Sequence, residues 1–121
     1  MYKYPRKQII LTTYNQNFAT MWGRRVKELV QYYGKDIGVA MKKNVFAANN
    51  FQLTNDSGMI CIGTGGSLTG RGADLLIIDD PIKNDAEAGS ITYRDAIWNW
   101  FNSTAYTRIE PNGTMILIMT R

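Results

Sequence analysis

The chain has 121 residues, 45% of them hydrophobic and 20% charged, with a formal net charge of +4. That is room for one small packed domain but not for two, and the apolar content excludes a disordered chain. The longest apolar runs, Leu75 to Ile78 and Met115 to Met119, fall far short of the roughly 20 residues that span a bilayer, so no membrane partner is expected.

Cys61 is the only cysteine and there is no histidine. An internal disulfide, a cysteine-rich zinc site and Ser-His-Asp or Cys-His catalysis are thereby excluded. Carboxylates acting with a hard cation remain as the reactive constellation. Residues 1 to 44 hold nine Lys or Arg against two acids, and the remainder holds five against eight. This basic half suits a polyanion such as DNA, but it equally suits a solvated helix face, since Arg24, Arg25 and Lys27 share one amphipathic segment.

In chain order, Ile9 to Thr13 reads as a short buried strand. Phe18, Met21, Trp22, Val26, Leu29, Val30 and Tyr33 then recur at helical spacing, with Asn15 or Asn17 as N-cap and Gly34 as the stop. Gly23 inside this helix costs about 1 kcal/mol against alanine, which close packing would explain. Residues 35 to 50 give only Val39 to Met41 as a strand candidate. Phe51 to Thr54 and Met59 to Gly63 flank the turn Asn55-Asp56-Ser57-Gly58 and read as a β-hairpin.

A glycine-rich stretch, Gly63 to Gly72, leads into the strand Asp74 to Asp80, whose Leu75-Leu76-Ile77-Ile78 centre is too continuously apolar for a sheet with one wet face. Pro81 ends that strand. After a polar loop, Ser90 caps a helix with Tyr93, Ile97, Trp100, Phe101 and Thr104 on one side and Trp98 off the stripe. Pro111-Asn112-Gly113 makes a turn before the apolar strand Met115 to Met119. Buried strands alternating with helices predict an α/β fold around a parallel sheet, with a small β-hairpin.

An apolar strand ending in Asp79 and Asp80 has the form of a Walker B segment, because ligands of open α/β sheets bind at the carboxyl ends of strands. Asp79 would hold Mg²⁺ and Asp80 would polarise an attacking water. The same pattern also serves where acids merely cap the next turn. The glycine-rich stretch, lacking the Lys-Ser or Lys-Thr of a phosphate-binding loop, is equally a plain connection.

The order of these segments resembles one family. Gly65 to Pro81 resembles the Walker B region of phage terminase large subunits. Tyr93-Arg94-Asp95 and Trp98-Asn99-Trp100 look like that family's following helix, and Thr114 to Arg121 looks like its motif III strand. Ile9 to Asn15 is similar to its strand after the P-loop helix. The resemblance implies a P-loop ATPase of the additional-strand type, working with ATP and Mg²⁺ in the bacterial host cytoplasm. It further implies double-stranded DNA, the portal protein and the small terminase subunit as partners. Asp79 matches the family's magnesium aspartate. Asp80 stands where the catalytic acid is usually glutamate, and Thr120 matches the polar end of motif III. Arg71 lies near the place of a trans-acting arginine finger, although pairing with a neighbouring acid is an equal reading.

The sequence departs from the family by having no G-x-x-x-x-G-K-[ST] motif and no nuclease domain. Residues 1–121 are accordingly expected to be a partial ATPase domain, inactive alone, running from after the P-loop helix to motif III. The resemblance places the P-loop strand beside motif III, so Thr114 to Thr120 is expected to lack one neighbour and to self-associate. The alternatives are a non-catalytic DNA-binding module and a small Mg²⁺-dependent nuclease or phosphatase; the latter wants more carboxylates than two.

Overall fold

A computed structural model describes residues 1, 3–68 and 70–119. Six strands form one sheet in the order β2-β3-β4-β1-β5-β6: β1 (Gln8–Thr13), β2 (Met41–Ala47), β3 (Asn50–Leu53), β4 (Gly58–Gly63), β5 (Ala73–Asp79) and β6 (Ile109–Ile118). β4, β1, β5 and β6 are parallel, while β2 and β3 add an antiparallel extension on β4. The expected α/β class and hairpin are thus observed. The hairpin is not a separate ornament, because its second strand, β4, belongs to the parallel sheet.

Leu75 to Ile78 is continuously apolar because β5 is covered on both faces of the sheet, whereas Met115 to Met119, expected to be as buried, lies exposed on β6. On one face, helix α1 (Gln16–Tyr33) packs Trp22, Val26 and Val30 with Leu11, Phe51, Met59 and Cys61. On the other face, Ile10, Ile62, Leu76 and Ile78 meet Leu68, Trp100 and Ala105. Trp100 ends helix α3 (Ile91–Trp100), and Leu68 comes from the connection that returns across β1 between β4 and β5. No described helix is long and apolar enough to cross a membrane.

Several local expectations meet their physical cause here. Asn15 is the N-cap of α1, accepting the Phe18 N–H at 2.8 Å. A Cβ on Gly23 would stand 2.1 Å from the Ala48 carbonyl oxygen, so glycine lets α1 touch the turn between β2 and β3. Ser90 caps α3 through the Tyr93 N–H at 3.3 Å.

Other details differ. Gly34 is the C-cap at which α1 stops, as expected, but with a right-handed φ of −59°: the chain continues into a 3₁₀ turn, Gly34–Ile37, and the positive φ falls on Gly38 at 71°. Gly34 is needed because Val39 O lies 2.4 Å from where its Cβ would be. Leu29 and Tyr33, placed on the apolar stripe, are exposed. The polar loop after Pro81 contains a short helix, α2 (Asp85–Gly89), capped by Asn84. The helical path past Trp100 widens into a π turn over Phe101–Ala105. Pro111-Asn112-Gly113 interrupts β6 rather than preceding it: Ala73 pairs with Ile109 but Leu75 with Thr114, so the extra residues bulge from the ladder.

Candidate functional site at the carboxyl ends of the parallel strands

Parallel pairing brings the last residues of β1, β5 and β6 to one rim. Thr13 is in register with Asp79, and Asp79 with Ile118. Asp79 is half-buried, and its place in the alternation of β5 puts it on the same side as Ile77, the face that carries α1. Asp80 turns the chain away with φ 48°, a left-handed conformation that aspartate tolerates better than most residues, and its N–H donates to the Ile118 carbonyl at 2.9 Å. Pro81 follows, buried. Local geometry and sequence pattern therefore agree that the two acids stand at the end of a buried central strand.

The rim is stiffened from both sides. The Thr13 hydroxyl donates to the Asn15 carbonyl at 2.9 Å, and the Thr64 N–H and hydroxyl both donate to Thr13 O, at 2.7 and 2.9 Å. Gln16 clamps the end of β4, donating to Cys61 O and accepting from the Gly63 N–H, each at 3.1 Å. The glycine-rich stretch is anchored: Trp100 Nε1 donates to Gly66 O at 2.9 Å and Leu68 is buried. Gly65, with φ 85°, supplies the turn that permits this path.

Two features here were not read as site candidates from the sequence. Thr12 is fully buried, and its hydroxyl has no hydrogen-bond partner among the described residues. In the sequence it looked only like a β-branched strand residue. A mostly apolar cavity of about 390 Å³ lies beside the rim between β6 and α3, lined by Ile78, Ile82, Trp98, Phe101, Leu117 and Met119 among others. Trp98 falling off the helical stripe was its one visible signal.

The backbone of Arg71 stands before β5 and the acids stand at its end, a separation of roughly 25 Å along an extended strand. The nearby acid Asp74 is committed elsewhere, accepting from Lys7 Nζ at 2.7 Å and the Gln8 N–H at 2.8 Å. The Lys7 hydrogen bond foremost, with the Gln8 amide next, holds the Asp74 carboxyl below its ordinary range. Arg71 borders two polar hollows, one with Arg108 and Glu110 and one with Gln16, Gly66 and Ser67. Thr120 lies outside the described residues.

Among the described residues no group of three or more acidic or cysteine side chains is placed to hold a metal alone. Asp79 fits the lesser demand of Mg²⁺ carried with a phosphate ligand, which needs only one or two protein carboxylates. The basic residues of the first 44 are partly engaged within the fold. Arg25 lies over the Trp22 ring, Lys27 over Phe46 while donating to Phe46 O, and Lys7 and Lys42 pair with Asp74 and Asp56. Their placement favours the structural reading of that charge. No family model and no curated protein matches this chain.

Proposed function

We propose that this chain is the Walker B and motif III portion of the ATP-hydrolysing motor of a phage terminase large subunit, which packages double-stranded DNA into procapsids. The observation that carries the reading is the pair Asp79 and Asp80 at the carboxyl end of β5, the strand flanked on both sides by parallel neighbours. In this reading Asp79 holds Mg²⁺, which would neutralise charge on the phosphates when bound. Asp80 accepts the proton of the attacking water. The turn at Asp80 is tied to Ile118 by its amide, which couples its position to β6. Thr120, just beyond β6, is assigned the coupling role of motif III. Arg71, standing at the far end of β5, would act only on a nucleotide held by a neighbouring copy. Portal protein and small terminase subunit are the partners this reading requires.

These 121 residues contain no glycine-rich loop with the lysine that cradles β- and γ-phosphates, so the chain alone is expected to release no appreciable phosphate from ATP with Mg²⁺. The reading is tested in a chain that also carries such a loop. Asp80→Asn should retain ATP and stop hydrolysis, whereas Asp79→Ala should weaken Mg²⁺-nucleotide binding. Unchanged turnover in both variants removes the assignment.

A further inference from the structure

We propose that the hollow at the amino ends of β5 and β6 binds a terminal phosphate, as inorganic phosphate or the end of a phosphomonoester, and rejects sulfate and phosphodiesters. The inference does not rest on the ATPase reading. Ala73 and Ile109 open the β5–β6 ladder, so the residues just before them leave the two strands side by side. Here lies a cavity of about 300 Å³, lined in part by Arg71, Gly72, Thr107, Arg108 and Glu110. Both of its cations are uncommitted. Among the described residues the ion pairs are Lys7 with Asp74 and Lys42 with Asp56, and neither Arg71 nor Arg108 donates a side-chain hydrogen bond within the chain. Arg108 is the sharper case, because its Nε is buried and meets no acceptor. A guanidinium cannot shed its proton, so a buried N–H of this kind calls for an acceptor from elsewhere. An oxyanion seated in the hollow is the acceptor that its planar fork matches. Arg71 also borders the hollow with Gln16, Gly66 and Ser67, but no second cation lines that one.

Glu110 decides which oxyanion fits. Its Oε1 occupies the place that a Cβ on Gly72 would take, so glycine at 72 admits a carboxylate to the same hollow. That carboxylate accepts hydrogen bonds and donates none, and it repels an anion with no hydrogen to offer. Thr107 supplies no donor to relieve it, since its hydroxyl turns back to the Ser103 and Thr104 carbonyls at 3.3 and 3.0 Å. Hydrogen phosphate meets both demands at once: charged oxygens for the two arginines and one P–OH for Glu110. A phosphomonoester can keep such a hydrogen. Sulfate near neutral pH and a phosphodiester have none, so either would face Glu110 as a like charge.

Calorimetric titration of the whole chain at constant ionic strength tests the proposal, with inorganic phosphate, AMP, sulfate and dimethyl phosphate as probes. Phosphate or AMP should bind saturably, about tenfold or more tighter than sulfate and dimethyl phosphate. The tighter of the two identifies the source as the free ion or the ester. Arg71→Gln and Arg108→Gln should each weaken that ligand about tenfold. Glu110→Gln replaces a repelling acceptor with an amide that can donate, so sulfate should come within about threefold of phosphate. Absence of saturable binding of both phosphate and AMP at millimolar concentration overturns the proposal. Sulfate bound by the parent chain as tightly as phosphate overturns it too, as does an affinity unchanged in both arginine variants. Should Arg108→Gln not fold, Arg71→Gln and Glu110→Gln, both at exposed positions, decide.

Discussion

β2 and β6 close opposite edges of one sheet, and they are built to opposite rules. β2 carries Lys42 and Lys43, shifts register against β3 between Met41 and Phe46, and lies under Lys27 of α1 through the Phe46 ring. Charge and irregular pairing are the usual defences of an edge strand. β6 has neither at Thr114–Ile118, and its five apolar residues from Met115 to Met119 are 40 to 55% exposed. The difference teaches that the β2 side is defended within this chain, whereas the β6 side presents apolar surface and backbone groups with no strand beside them among the described residues.

The largest test of that contrast is truncation on each side. Phe51, at 0% exposure in the β2–β3–β4 core, should cost about 3–5 kcal/mol as Phe51→Ala, while Ile116→Ala, starting from 43% exposure, should cost less than about 1 kcal/mol in the monomer. Urea titration measures both, and similar costs would mean that the edges do not differ in packing. Next, Gly23→Ala should destabilise by about 1–3 kcal/mol, since its Cβ would collide with the Ala48 carbonyl and push α1 off the defended side. A stabilised variant would show that this turn yields freely. Asn15→Ala, removing the α1 cap, should cost about 1 kcal/mol in the same assay.

The smallest effect belongs to the tie between β1 and β5. Lys7 and the Gln8 amide lower the folded-state pKa of Asp74, so this contribution is complete above the ordinary carboxylate range and is lost as pH falls through the lowered value. Asp74→Asn should therefore cost at most about 1 kcal/mol at neutral pH, because the pair is partly exposed, and should converge with the parent in acid. A cost that grows on acidification would contradict this sign. Burial of Cys61 pushes its thiol up to about 12, so native-state alkylation should be slow at neutral pH and accelerate only with unfolding.

Much of this architecture was legible locally. Asn15 and Ser90 announced their caps, Gly23 its close approach, and the charge-free run Leu75 to Ile78 its place inside a parallel sheet, because each signal depends on neighbours a few residues away. The segment read as a polar loop holds α2 by the same kind of local signal, which the reading missed: Asn84 accepts the Glu87 N–H, and Glu87 accepts the Lys83 N–H at 2.9 Å.

The sequence by itself determined that a buried strand delivers Asp79 and Asp80 together, since adjacent residues at a strand end cannot be separated by folding. It also determined that these 121 residues hold no histidine and can form no internal disulfide. Only the tertiary structure decided which strands flank those acids and that the run from Met115 to Met119 lies at an edge rather than in the interior. An apolar run states that a strand is to be covered on both faces. Strand order, set by long-range crossovers over α1, α3 and the loop carrying Leu68, decides whether anything stands beside it.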